Sequence, residues 1–341
     1  QEQQEQSTMN TTNTLSLSTT ELEVLPKSSL SNLPVNLFAS VMGLSGLSLA
    51  WRQAYHYVGG SLLPAEAIGA FAVLIFAVLI LTYGIKCVRY PALCRAEFNH
   101  PVTGNFFGTI TISMVLVSAV VGIYFPLAGE ILWSTGSLLT LLLSALLVSR
   151  LFKGEQDPQH ALPVWLIPGV ASLDIAVTGS HMPMAWASEL NLAGLAIGGL
   201  LALVFIIMIF QRLIQQAPLA TAMTPSMMIL IAPFAVGFLA YTNYFGTIDR
   251  FADMLYYFTL FLFAVVSFKV FHTKMRFAIS WWAISFPMAA LSNAALKYGY
   301  AQEGLPLQLI AIAILLFLSL ALAVLTVKTL SSLFKGQLLA G

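Results

Sequence analysis

Apolar segments follow one another along almost the whole of this chain of 341 residues. Each segment is long enough to cross a lipid bilayer as a helix. We predict ten spans, at residues 33–52, 62–85, 104–125, 127–150, 162–180, 187–211, 226–246, 252–272, 276–298 and 305–330. Only 9% of the residues are charged, whereas a soluble domain carries about 25%. The pattern therefore predicts an all-α integral membrane protein with ten transmembrane helices.

The two ends of the chain differ from the apolar region between them. Residues 1–32 are rich in Gln, Ser, Thr and Glu, a composition that cannot bury an apolar core, so we predict a disordered tail there. This tail lacks the positively charged start and apolar run of a secretory signal. Residues 33–330 are predicted to form one membrane domain, followed by a short tail over 331–341.

The distribution of Lys and Arg predicts the orientation of the spans. Twelve of the fifteen lie in the two tails and in the loops that join an even-numbered span to the next odd-numbered span. Only Arg52, Arg250 and Lys297 lie on the other side. Because loops rich in Lys and Arg stay in the cytoplasm, we expect both termini to be cytoplasmic.

The odd-numbered spans are richer in small and polar residues than most even-numbered spans, which are mainly Leu, Ile, Val, Phe and Ala. This alternation predicts five helical hairpins in a quasi-fivefold ring, with the odd helices inside and the even helices facing lipid. Irregular, mildly polar helices are tolerated at membrane depth where they line a cavity. We expect a neutral path to be bordered by Ser40, Gly43, Thr109, Ser113, Ser172, Gly237, Ser285 and Ala289.

The ninth span combines a polar stripe with one bulky ring. Ser285, Ala289, Ser292 and Asn293 share one helical face, and Phe286 lies at its edge. This arrangement is typical of a narrow path with an obstruction, although small and polar residues also serve ordinary helix packing in membranes. Prolines lack a backbone donor and disturb helices, and we predict helix kinks at the positions listed here: Pro168, Pro233 and Pro287.

Asp174 is the one carboxylate clearly inside a predicted span. A buried charge in a membrane is costly, so such a residue is a candidate functional group. It could couple proton movement to transport, or it could be a neutral or hydrogen-bonded carboxyl near the mouth of the fifth span.

The sequence gives little support for other chemistry. It has no catalytic triad within a span, no phosphate-binding glycine loop and no zinc-type spacing around Cys87 and Cys94, which we interpret as free thiols. We therefore expect no enzyme activity, no metal and no cofactor. A net charge of +1 without a basic cluster also argues against nucleic-acid binding.

Five short motifs, in the expected spans and order, resemble the bacterial TehA proteins and the slow anion channels of plant guard cells, a family also described as tellurite-resistance/dicarboxylate transporters. The resemblance runs from about residue 33 to the C-terminus. The motifs are Leu33-Pro34 through Ala50-Trp51, His100-Pro101-Val102, Pro163 with Pro168, Ala232-Pro233 and Trp282-Ala283-Ile284-Ser285-Phe286.

The resemblance implies a homotrimer in the bacterial inner membrane, in which every protomer has its own pore closed by Phe286. It also implies conduction of small inorganic anions, such as chloride and nitrate, ordered by how readily they lose water. Three positions depart from the TehA pattern: Pro287 replaces a glycine, Thr111 a proline and Ala39 a glycine. Because of these departures, the resemblance does not determine pore width or gating.

Three functions are therefore open from the sequence. The first is a passive anion channel, favoured by the scarcity of charge on the odd spans. The second is a proton-coupled carrier of dicarboxylates or oxyanions such as tellurite, with Asp174 as the titrating group. The third is a membrane scaffold or sensor, which leaves the polar odd spans without a purpose.

Overall fold

The structure is a computed structural model that describes residues 30–154 and 156–339. The regular elements in these ranges are all helical. The α-helices are α1 (Ala39–Val58), α2 (Leu63–Arg89), α3 (Pro91–Asn99), α4 (Phe107–Val121), α5 (Pro126–Leu151), α6 (Ile167–Gly179), α7 (Ala187–Gln215), α8 (Ala232–Phe245), α9 (Arg250–His272), α10 (Ser285–Ala301) and α11 (Leu305–Phe334).

A 3-10 segment runs directly into the start of five of these helices. The five are α1, α4, α6, α8 and α10, which correspond to the odd-numbered predicted spans. Their 3-10 segments are Val35–Phe38, Thr103–Phe106, Pro163–Leu166, Thr221–Ile231 and Ile279–Ile284. In the described residues the even-numbered spans begin directly as α-helices. Because a 3-10 turn is tighter and less well bonded than an α-turn, each odd span contains a built-in irregularity.

Helix contacts follow the predicted pairing. Each odd-span helix packs against the even-span helix that follows it, as α1 does with α2 and α10 with α11. The odd-span helices also contact one another in sequence, from α1 to α4, α6, α8 and α10, and α10 returns to α1. We call these five the inner helices, and α2, α5, α7, α9 and α11 the outer helices.

Burial separates the two groups. The most apolar stretches of the outer helices are only 22–39% buried, whereas those of Thr103–Val121 and Thr221–Phe245 are 67% and 72% buried. Side chains such as Leu81, Leu200 and Phe261 stand exposed on the outer helices. A surface this apolar is stable in lipid and not in water, as expected of a multi-pass membrane protein.

Seven helices in the described residues are long and apolar enough to cross a membrane by themselves, and Pro163–Gly179 is a shorter apolar helix. The first and ninth predicted spans, now residues 35–58 and 279–301, are not among the seven. Their Ser, Asn, Arg and Lys residues lower the hydropathy, which a helix enclosed by other helices tolerates. The count of ten membrane crossings stays a prediction.

A short helix that the sequence did not predict, α3, lies between the first two hairpins. Its Glu97 accepts hydrogen bonds from Lys86 Nζ and Tyr83 Oη, both at 2.8 Å, and from the Val35 backbone N–H at 3.0 Å. Lys86 is 4% exposed and also donates to the Leu33 carbonyl at 2.7 Å. This buried network ties α2 and α3 to the segment that starts α1. Cys87 on α2 and Cys94 on α3 are free thiols whose Sγ atoms lie 2.9 Å apart.

The described parts of the two predicted tails contact each other and pack against the domain. The predicted disordered tail falls mainly outside the described residues, but Leu30–Asn32 form a 3-10 turn. The Asn32 side chain donates to the Leu339 carbonyl at 2.9 Å. Helix α11 continues to Phe334, four residues beyond the predicted end of the last span.

Candidate functional site

A cavity of about 390 Å³ opens among the C-terminal halves of the inner helices. All five inner helices contribute to its lining, through residues such as Gly46, Leu116, Thr178, Asn243 and Asn293. We call this cavity the vestibule. A second cavity of similar size shares Tyr57, His181, Asn243 and Lys297 with it and extends to the loop at Gly246–Ile248.

The vestibule carries more basic than acidic groups. Its basic side chains and histidines are Arg52, His56, His181 and Lys297, and Asp174 is the only carboxylate in its described lining. Arg52 lies 3.8 Å from Glu66, a loose ion pair whose carboxylate is 43% exposed. Lys297 Nζ donates to Asn243 Oδ1 at 2.5 Å, a neutral partner. A concave surface with this charge balance attracts anions.

A much smaller cavity, of about 30 Å³, lies among the N-terminal halves of the same five helices. Its lining includes Met42, Ile112, Val170, Ala232 and Trp282, and Thr109 supplies the one hydroxyl. The exposed surface within it is entirely apolar. This narrow cavity offers a passing ion almost nothing in place of its water shell.

Phe286 borders both cavities. Its side chain is 6% exposed, and it is the second residue of α10, immediately after the 3-10 segment Ile279–Ile284. Pro287 borders the narrow cavity next to it. Phe286 is therefore common to the vestibule and to the narrow apolar cavity, which we call the neck.

The three predicted kink prolines lie in the first turns of their helices. Pro168 and Pro233 are the second residues of α6 and α8, and Pro287 is the third residue of α10. In the first turn of an α-helix the backbone N–H has no intrahelical partner, so proline costs little there. All three mark the change from a 3-10 segment to an α-helix; whether the helix axis bends there stays a prediction.

The small residues of the ninth span make close contacts with α1. A methyl group added to Gly43 would clash with the Ser285 side chain, and one added to Gly46 would lie 2.7 Å from the Ala289 Cβ. Ser285 Oγ is 3.0 Å from the Ala39 carbonyl, and Asn293 Nδ2 donates to the Gly46 carbonyl at 2.9 Å. The packing alternative therefore accounts for the contacts of Ser285 and Ala289.

Several other predicted path residues form hydrogen bonds between or within helices. Ser113 donates to the Phe38 carbonyl at 3.2 Å, Ser40 to the Leu37 carbonyl at 2.7 Å, and Ser172 lies 3.1 Å from Ser144 Oγ on α5. Gly237 is different, since it is buried but a methyl group added there would meet no atom within 4 Å. Their exposure to an ion path stays a prediction.

Asp174 lies on α6 and lines the vestibule. The residue is 1% exposed, and its Oδ2 atom has no hydrogen-bond partner. The structure thus places the predicted carboxyl in a cavity, near bases that the sequence did not connect with it.

The basic residues of the vestibule are the site residues that sequence reasoning missed. Arg52 and Lys297 were used only to predict orientation, because both lie near the ends of their spans. His56 and His181 carry no helical spacing that marks a site. Only the packing of α1, α6 and α10 brings them to one cavity.

Comparison with known proteins gives a family match over most of the chain. Residues 32–330 match the SLAC1 family, described as voltage-dependent anion channel. A tellurite resistance protein TehA homolog from Haemophilus influenzae is 28% identical over 89% of this chain and 92% of its own length. An uncharacterized transporter from Methanocaldococcus jannaschii is 29% identical over 77% of this chain and 83% of its own length.

A plant relative matches over a smaller share of its own length. The guard cell S-type anion channel SLAC1 of Arabidopsis thaliana is 24% identical over 90% of this chain but 57% of the plant protein. The names of these relatives describe channels, transporters and resistance proteins and not enzymes. Because the family match covers nearly all of the described helical domain, the chain belongs to the voltage-dependent anion channel family.

Proposed function

We propose that this protein is a gated channel for small monovalent anions such as chloride and nitrate. In this proposal the path runs from the vestibule, past Phe286, into the narrow apolar cavity. The observation that carries the proposal is that Phe286 lines both cavities. In this proposal closure is steric, with the benzyl ring of Phe286 blocking the passage between the two cavities.

The proposed architecture is a ring of five hairpins with one pore per protomer. The cyclic contacts of the inner helices support it, as do the two cavities, each lined by residues from all five of the inner spans. The low burial of the outer helices is consistent with a lipid-facing layer. We further propose a homotrimer in the bacterial inner membrane with both termini in the cytoplasm.

Selectivity in this channel has two stages. The basic vestibule concentrates anions and repels cations, a long-range effect of its summed charge. The apolar neck then favours anions that lose water easily, since it offers few donors to replace the hydration shell. Nitrate should accordingly pass more readily than chloride.

A proton-coupled carrier of dicarboxylates or oxyanions is the second candidate. The unpartnered carboxyl of Asp174 favours it, because a buried group of this kind could bind and release a proton in each cycle. The carrier would also need two conformations that expose the site alternately to the two sides.

Current recordings from the purified protein in planar bilayers test the two functions. A channel passes current that reverses at the anion equilibrium potential and is unchanged by a pH gradient. A coupled carrier gives a reversal potential that moves with the pH gradient. Absence of current from folded Phe286→Ala protein, together with no uptake of labelled anion by proteoliposomes under a pH gradient, would refute transport and favour the scaffold interpretation.

A further inference from the structure

A cavity of about 300 Å³ lies away from the proposed path, between the second and third hairpins. It opens where α3 ends and α5 ends, at the face of the molecule from which the inner helices start. Its apolar wall is formed by Leu147, Val148 and Leu151 of α5 and Phe205 of α7. Its polar side carries His100, Arg150 and Lys153, together with Asn99, Asn105 and Gln156.

The basic residues of this cavity lack counter-ions in the described part of the chain. None of the described lining residues is Asp or Glu, and the ion pairs formed by described residues do not include Arg150 or Lys153. Two positive charges and a histidine, with no carboxylate among the described lining residues, favour an anion.

Arg150 is held in place by neutral groups. Its Nη1 donates to the Phe98 carbonyl at 2.7 Å, its Nη2 to Asn99 Oδ1 at 3.3 Å, and its guanidinium lies 4.2 Å from the centre of the Phe98 ring. These contacts fix the orientation of the guanidinium without neutralising its charge. They also leave part of its five-donor fork free for a ligand.

Two further donors border the cavity. His100 Nδ1 accepts the backbone N–H groups of Val102 and Thr103 at 3.1 and 3.2 Å, so in the neutral ring the hydrogen is on Nε2, the other nitrogen. Trp165 also lines the cavity. Its Nε1–H has no hydrogen-bond partner but is buried, so His100, Arg150 and Lys153 are the groups considered for contact with a ligand.

We propose that this cavity binds a phosphate group, held by Arg150 and Lys153, with the apolar wall beside it. The planar fork of arginine matches the oxygens of a phosphate. An acidic phospholipid and a free phosphate both present this chemistry. The apolar wall of α5 and α7 gives the lipid an additional contact along its acyl chain.

The test measures binding to the full-length protein, purified in detergent and stripped of lipid. The probes are phosphatidylglycerol, phosphatidylcholine and inorganic phosphate. Binding of each probe is measured by native mass spectrometry and by the shift in the unfolding temperature. We expect phosphatidylglycerol to bind and to stabilise. Arg150→Gln and Lys153→Gln should each weaken its binding about tenfold, as expected for the loss of one charge-assisted contact.

Matched variants make the result decisive. Arg150→Lys retains the charge and should restore part of the affinity, while Arg89→Gln removes an exposed cation at the end of α2, outside the cavity, and should have no effect. Lys153 is exposed, so Lys153→Gln tests the site even if Arg150→Gln fails to fold.

The probes separate the two sources of phosphate. Binding of inorganic phosphate with the same dependence on Arg150 and Lys153 identifies a site for soluble phosphates, and binding of phosphatidylglycerol alone identifies a lipid site. The proposal would be overturned if phosphatidylcholine and phosphatidylglycerol bound equally and neither substitution changed their binding. It would also be overturned if none of the three probes bound.

Discussion

At Phe286 the side chain is enclosed, yet the atoms around it differ on its two sides. Toward the vestibule lie residues such as Asn293 and Asp174, and toward the neck lie Ile112, Val170 and Trp282. A rotamer change at this one residue could join the two cavities. Opening by such a change would be much smaller than rocking one half of the molecule against the other.

Phe286→Ala should therefore raise anion conductance by about tenfold or more, since removing about 1.4 kcal/mol from a barrier gives a factor of ten. Phe286→Leu should give an intermediate value. Anion-over-cation selectivity should persist because the vestibule charges are unchanged. Single-channel recording in planar bilayers measures both quantities.

Phe261→Ala, which removes an exposed ring from α9, is the matched control and should conduct like the parent. Equal conductance in the parent and in folded Phe286→Ala would exclude Phe286 as the gate.

A substitution at Asp174 distinguishes the channel from the carrier. Asp174→Asn preserves the size of the side chain and removes the titrating carboxyl. For a channel we expect anion currents within about threefold of the parent, a difference of about 0.65 kcal/mol, because no step requires its proton. Complete loss of flux in Asp174→Asn, together with proton-dependent flux in the parent, would favour the carrier.

At the scale of helices, the α1–α10 interface positions Phe286, the proposed gate. Gly43 and Gly46 allow α1 to approach Ser285 and Ala289 closely, and Phe286 is the next residue after Ser285. Close approach through small residues is a common way for membrane helices to associate. Any change that separates α1 from α10 should move the ring.

Gly46→Ala should destabilise the protein by about 1–3 kcal/mol, the usual cost of overpacking a tight contact. It should also alter the open probability, because α10 must shift. Gly84→Ala is the control, since a methyl group added there, on α2, meets no atom within 4 Å. That change should be neutral or should stabilise by about 0.5–1 kcal/mol. Thermal unfolding in detergent measures the difference. Equal unfolding temperatures for Gly46→Ala and Gly84→Ala would contradict the prediction.

The network around Glu97 holds α3 against the start of α1. Glu97→Ala leaves Lys86 buried without its ion-pair partner, and breaking one side of a buried pair costs about 3–5 kcal/mol. We expect a lower unfolding temperature for Glu97→Ala than for the double variant Lys86→Met/Glu97→Leu, in which neither charge is left alone. A double variant no more stable than the single one would show that the ion pair is not the main source of the loss.

At the scale of the whole molecule, the vestibule should act as an electrostatic funnel. Lys297→Gln should lower conductance several-fold at about 10 mM chloride, where the screening length is about 30 Å, and little at about 1 M, where it is about 3 Å. Arg250→Gln is the control, because Arg250 is 98% exposed and outside the vestibule. Equal effects of the two substitutions, or an effect of Lys297→Gln that ignores salt, would contradict the funnel.

The sequence by itself determined the class of the molecule and predicted helix pairs that agree with the helix contacts. Low charge and repeated apolar segments require a lipid environment. The small and polar residues of the odd spans distinguished inner from outer helices, because a helix enclosed by protein tolerates groups that lipid excludes. These signals are local, because they depend on the composition of each span. The family motif around Phe286 could be recognised for the same reason, since it lies within one short stretch of sequence.

The tertiary structure alone decided which residues share a cavity and which pack between helices. Ser285 and Ala289 are small and neutral, as residues that line a path would be, yet they contact Gly43 and Gly46 on α1. Lys86 resembled a loop charge but is buried against Glu97. Arg52 and Lys297 are 245 residues apart and line one vestibule. Such juxtapositions depend on the rotation of each helix about its axis, which is set by contacts between distant segments and leaves no local pattern in the sequence.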